Sequence, residues 1–389
     1  MNIDFDREIQ RSGTSSVKHD GRAAYFGTPD VLPLWVADMD FASPEAVTRA
    51  LAQRAAHPVY GYTFYPDSLY ESLIAWLKKR HGWEIEREWI IMAPGVVPSL
   101  HAAVMAFAQP SEGVIVQPPV YFPFFSAVTT TERRLILNPL RLENGRYSMD
   151  YSHLERCAAQ GARLLLLCSP HNPVGRVWSR EELTEILRIA RGYNLNVLSD
   201  EIHADLVYSG ERHTALATLA TRTDKVITAV APSKTFNIPG LALSSLIVPD
   251  PAQREAIKRI FATLNMGSSN PFSIAAFEAA YRGGEAWLDE LLVYLQGNRD
   301  WVSEYLVRHL PAIRLIQPEG TYLLWLDCRD LGMSDAQLRD FFVHNARVGM
   351  NPGTVFGEGG SGFMRLNIGS PRRIIAAALE RIARALNAR

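Results

Sequence analysis

Cysteine is scarce in this sequence: Cys157, Cys168 and Cys328 are the three in a chain of 389 residues. So few, so widely spaced, make neither a disulfide framework nor a metal knuckle. Net charge is nearly absent as well, with 40 lysines and arginines against 41 aspartates and glutamates. Such a balance gives no electrostatic case for nucleic acid or an anionic membrane. Basic pairs such as Arg133-Arg134 lack interleaved aromatics and read as solvated faces. The ten histidines are scattered, without a His-Glu-x-x-His spacing, so a metal site is not expected. No apolar run approaches the length of a membrane span. The opening Met-Asn-Ile-Asp-Phe-Asp carries acid and has no apolar secretory core. A cytoplasmic protein is the expectation.

What is present is material for two cores, with 47% hydrophobic and 21% charged residues. Apolar runs at 113–116, 163–167, 196–199, 226–230 and 243–248 alternate with helical patterns. Among those helices are Asp67–His81 and a segment from Ser179 whose capping box pairs it with Glu182. Ser43-Pro44-Glu45 predicts another cap and first-turn proline. This order implies an α/β fold whose mostly parallel sheet is covered on both faces. The tail differs: a helical stretch over 271–309 broken at Gly283-Gly284, strands at 321–326 and 362–367, and a terminal helix at 374–388. The expected division is a large domain, 46–285, and a small α+β domain from 1–45 plus 286–389.

Polar residues recur immediately after the predicted strands. Tyr121 follows 114–116, Asn172 follows 163–168, Asp200-Glu201-Ile202-His203 follows 196–199, and Ser233-Lys234 follows 226–230. In a parallel sheet these carboxyl ends share one edge, where open α/β sheets bind ligands. A lysine, a carboxylate, an amide and an aromatic together match the demands of pyridoxal 5'-phosphate (PLP). Lys234 can form a Schiff base with the aldehyde, and Asp200 can stabilise a protonated ring nitrogen. Asn172 can donate to the ring oxygen while Tyr121 lies against the ring. Gly95, Val96 and Val97 at a helix start, with the Ser233 hydroxyl, can take the phosphate. Each has a plainer alternative. Asp200 could cap a helix, Asn172 could be a turn residue, Tyr121 core, and Gly95 merely a helix start. Cys168 is expected to be packing at a strand end.

Ser-Pro-His-Asn-Pro-Val-Gly (169–175), Ser-Asp-Glu-Ile-His (199–203), Ser-Lys-Thr-Phe-Asn-Ile-Pro-Gly (233–240) and Arg-Leu-Asn-Ile-Gly (365–369) resemble fold type I PLP enzymes of the aspartate aminotransferase superfamily. Pro-Leu-Trp-Val-Ala-Asp-Met-Asp-Phe (33–41), His-Pro-Val-Tyr-Gly-Tyr (57–62) and Ala-Pro-Gly-Val-Val-Pro (93–98) resemble its cystathionine β-lyase and cystalysin-like carbon–sulfur lyase branch. The likeness runs over essentially the whole chain. It implies a seven-stranded-type central sheet, with Arg365 on the substrate α-carboxylate. It also implies a homodimer in which Tyr62 reaches the phosphate of the neighbouring site. His203 stands where aminotransferases often have a tyrosine near the ring oxygen, and Ala242 where many have a phosphate-binding arginine. From composition alone, Arg365 could equally face water from an edge strand. The loop Phe356-Gly357-Glu358-Gly359-Gly360-Ser361-Gly362 fails the phosphate-loop spacing and reads as a mobile lip near the substrate.

The reaction so implied is α,β-elimination from L-cystathionine or a related S-substituted cysteine, with Lys234 as the Cα base and Lys234 or Tyr121 assisting the leaving group. Transamination uses nearly the same residues and is the first rival. A regulatory or interaction protein that retains the pocket is the second.

Overall fold

The computed structural model describes residues 3–267 and 269–388. Its centre is a seven-stranded sheet in the order Ile90–Ala93, Ser244–Ile247, Lys225–Val230, Asn196–Asp200, Ala162–Cys168, Gly113–Val116, Arg134–Leu137. Ser244–Ile247 runs antiparallel to both its neighbours; every other pairing is parallel. The six remaining strands therefore end on one edge, and the reversed strand begins there.

Alternation along each strand explains why both faces are covered. Ile115, Leu165, Leu167, Val197 and Val226 point into one cluster with Leu154 and Leu183 of the helices Tyr151–Ala159 and Arg180–Gly192. Val114, Leu164, Leu166, Leu198 and Ile227 point the other way. There they meet Leu100 and Val104 of Val96–Phe107, and Ile257 of Pro251–Thr263. Burying each such aliphatic side chain contributes about 1.5–3 kcal/mol toward holding the strands that end at this edge.

A second, antiparallel sheet runs Arg314–Ile316, Leu323–Asp327, Phe363–Asn367, Asn351–Pro352. The opening segment joins this part of the chain, since Leu32 pairs with Val348 and Pro33 with Gly349. The helical stretch breaks where its glycines predict, into Pro271–Gly283 and Glu285–His309. Two expectations change. Pro44, not Ser43, takes the cap position of Glu45–Ala56, and the Ser43 hydroxyl instead donates to the Asn237 carbonyl at 3.0 Å. The Asp335–Asp340 helix, capped by Ser334, runs on into a wider turn, Phe341–Asn345, within a stretch the sequence leaves undivided. Among the described residues no helix is long and apolar enough to cross a membrane.

Candidate active site

From the strand Lys225–Val230 the chain enters a single helical turn, Pro232–Thr235, whose proline suits a first-turn position. That turn carries Lys234 over the sheet edge. Its Nζ donates to the Ala37 carbonyl at 2.6 Å. Burial pushes the amine down to about 8; Asp38 and Asp200 oppose the shift and Arg365 adds to it. A lysine so placed gives up its proton far more readily than one in water.

Two cavities meet at this amine. The first, about 220 Å³, is lined by Gly95, Val96, Val97, Tyr121, Asn172, Asp200, His203, Ser233 and Lys234. The second, about 400 Å³, shares Ala37, Tyr121 and Lys234 with it and holds Arg365. Of the residues singled out from the sequence only Tyr62 lies apart, and its side chain is fully exposed.

Asp200 ends the strand Asn196–Asp200. No helix begins there; its Oδ1 accepts from the Ile202 amide at 3.1 Å, an Asx-type turn rather than a helix cap. Burial pushes this carboxyl up to about 7, against the pull of that hydrogen bond and of Lys234. It is a buried acid without a cation in contact among the described residues, which suits a ligand bringing a protonated ring nitrogen. His203, three residues on, is driven down to about 3 by burial, so it is neutral, and its Nδ1 has no partner. The amide oxygen of Asn172 accepts from Arg365 Nη1 at 3.0 Å, leaving the amide nitrogen for the cavity. Gly95, Val96 and Val97 present the first-turn N–H groups of a 12-residue helix, with Ser233 on the same wall. Ala242 lines it too, and Lys234 is the one cationic side chain there among the described residues. Cys168 closes this cavity, buried, with its thiol pushed well up by burial. It behaves as packing.

Arg365 lies in an inner strand, paired with both Trp325 and Asn351, not on an edge facing water. Its Nη2 donates to the Trp35 carbonyl at 2.9 Å and to Asn351 Oδ1 at 2.8 Å. Phe356, from the glycine-rich loop, packs against the guanidinium at 4.9 Å. All these partners are neutral, Nε is unpaired, and burial pushes the group down to about 10. A buried guanidinium held by neutral groups has the charge and the fork geometry to take an anion.

The segment 33–41, a family motif in the sequence with no role assigned to it there, roofs both cavities. The Ala37 carbonyl accepts from Lys234 and from the buried Tyr322 hydroxyl, the latter at 2.9 Å. Asn367 Nδ2 donates to the Val36 and Asp38 carbonyls at 2.6 and 2.7 Å. Asn237 binds Met39 through both its backbone N–H and its carbonyl. Asp40 gathers Arg11, Lys18, His19 and Ser370. Charge-rich Asp38-Met39-Asp40 was the available signal, since two acids in an apolar run demand buried partners.

The aminotransferase class I and II model matches residues 29–382. The chain belongs to that family. Its relatives place it in the branch of cystathionine β-lyase and cystalysin. It is 42% identical over 387 residues to cystathionine β-lyase PatB of Bacillus subtilis (strain 168), covering 99% of this chain and 100% of that protein. Cystalysin from Treponema denticola, solved with PLP, superposes with a TM-score of 0.97 at 36% identity over 100% of both chains. A PLP-bound carbon–sulfur lyase from Staphylococcus hominis gives 0.92 at 32% identity, over 99% of this chain and 98% of that one.

Proposed function

We propose that the protein is a PLP-dependent carbon–sulfur lyase acting by α,β-elimination on S-substituted L-cysteines, L-cystathionine among them. The products are a thiol (homocysteine from cystathionine), pyruvate and ammonia. One observation carries the reading: a cavity of about 220 Å³ lined by Asp200, Asn172 and Ser233, and an arginine with no acid partner among the described residues, meet at the Lys234 amine. Bound PLP supplies a conjugated electron sink for negative charge at the substrate Cα.

Lys234 anchors the cofactor and, freed when the substrate amine arrives, takes the Cα proton on Nζ. Its lowered pKa lets that nitrogen be neutral near pH 8. Asp200 holds the proton on the ring nitrogen. The Asn172 amide and His203 serve the ring oxygen, Tyr121 walls the ring, and Gly95, Val96, Val97 and Ser233 take the phosphate. Arg365 grips the substrate carboxylate and thereby fixes Cα beside Lys234. The Cα–H electron pair becomes the Cα–Cβ double bond as the Cβ–S bond breaks with its pair on sulfur. The proton that Lys234 took from Cα is passed to the thiolate past the Tyr121 hydroxyl, which leaves Lys234 neutral and Tyr121 protonated as they began. Water then hydrolyses the released 2-aminoacrylate to pyruvate and ammonia.

The protein is read as a cytoplasmic homodimer in which Tyr62 serves the neighbouring site. Val59, Tyr60, Tyr62 and Phe64 are all exposed, an apolar patch suited to a partner's surface. Purified protein given PLP and L-cystathionine, without any keto acid, is expected to release pyruvate and free thiol catalytically. Turnover that starts only when a keto acid is added would replace elimination with transamination.

A further inference from the structure

Building on the lyase reading, we infer that the site prefers cysteines whose sulfur substituent is apolar or aromatic over those whose substituent ends in a charged amino-acid group. Of the described side chains that this chain places around the 400 Å³ cavity, the charged ones are Lys234 and Arg365. Both are committed to the amino-acid end of the substrate. Beyond them the walls are Tyr25, Trp35, Phe122 and Val355. Tyr25 and Trp35 stack with centroids 4.2 Å apart and planes 25° apart, making a continuous aromatic side.

Asn351 adds the remaining side-chain amide among the described residues, with one of its two N–H groups and its oxygen already engaged. Its Oδ1 accepts from Arg365 at 2.8 Å and its Nδ2 donates to the Tyr25 hydroxyl at 3.2 Å. A distal ammonium and carboxylate, as in L-cystathionine, would leave water for walls in which this chain's described residues offer no opposite charge. An S-benzyl group loses nothing polar and gains burial against aromatic faces. The carboxylate grip of Arg365 is common to both substrates and cancels in the comparison.

The test uses the PLP-loaded protein with S-benzyl-L-cysteine, S-methyl-L-cysteine and L-cystathionine, assayed for pyruvate without a keto acid. The expected kcat/KM for S-benzyl-L-cysteine exceeds that for L-cystathionine about tenfold or more. Titrating the bound cofactor's absorbance with each amino acid should give affinities in the same order. Val355→Asp, which puts a carboxylate on the apolar wall, is expected to shift the ratio toward L-cystathionine, and Phe122→Ala to lower the preference for benzyl over methyl. Equal or reversed ranking in both assays overturns the inference. Failure of every amino acid to yield pyruvate would sink the lyase reading, while the absorbance ranking would still decide the subsite. A spectrum that none of them moves overturns the subsite too.

Discussion

Asp200 is ionised in the folded chain only against the cost of its own burial. Its folded pKa, about 7, lies above the ordinary carboxyl value of 3.8. Ionising it therefore costs stability that is absent below pH 4, grows between pH 4 and 7, and is constant above. Asp200→Asn should make the cofactor-free protein more stable at pH 8, by on the order of a few kcal/mol. The gain should shrink toward pH 5, and urea unfolding at the two pH values checks it; equal midpoints at pH 8 would refute the account. Turnover should fall by roughly 10²-fold or more once the countercharge is gone. Lys234→Ala should lose both the cofactor's lysine-bound absorbance and nearly all turnover, because anchor and base are one nitrogen. A variant keeping both would end the assignment. Arg365→Lys should keep the cofactor while KM rises roughly 10²-fold, since an ammonium cannot replace the fork; saturation curves decide. Lys234, Asp200 and Asn172 were legible because their side-chain chemistry is distinctive and each follows an apolar run. The Ala37 carbonyl was not, since every residue has one. Tyr322 was hidden by distance, reaching that carbonyl across 285 positions of sequence.

The elements that carry the site divide by how they are held. The central strands are long on β-branched and leucine residues and could be read directly. Arg134–Leu137 begins with an exposed arginine at the sheet's border, so its sequence lacks the buried-strand pattern. Ser244–Ile247 reads as one more buried strand, and no feature of its composition announces that it runs backwards. The segment over 33–41 has no regular structure beyond its pairing at Leu32–Pro33 and is held by charge. Lys18 donates to Asp40 at 2.7 Å while fully buried. Lysine and arginine contacts hold the Asp40 carboxyl far below its usual range despite burial. A depressed folded pKa means stability present above the unfolded value, near 3.8, and lost as pH falls below it. Asp40→Ala should thus cost about 3 kcal/mol at pH 7 by taking away the near carboxylate of buried Lys18 and leaving it the more distant Asp38, at 3.8 Å. The gap to the unaltered protein should narrow progressively below pH 4. Thermal unfolding across that range measures it, and a gap independent of pH would contradict the charge argument.

At the scale of the molecule, the site lies where the edge of the large sheet meets the antiparallel sheet and the opening segment. We read residues 46–285 as the large unit and 1–45 with 286–389 as the small one. The proposed dimer adds a prediction that no single chain can satisfy. Mixing Lys234→Ala subunits with Tyr62→Ala subunits should create hybrids holding one doubly altered and one intact site. After random exchange, activity should recover to about a quarter of the unaltered level. A mixture no more active than its parents would place Tyr62 outside the neighbouring site. The roof over the cavities carries a practical consequence for anyone trimming or fusing this protein. A chain restarted after Phe41 would retain every motif from Gly95 to Arg365. It would lack the backbone oxygens of Trp35, Val36, Ala37 and Asp38 that Arg365, Asn367, Lys234 and Tyr322 require. Shortening the amino-terminal end would act as an active-site lesion.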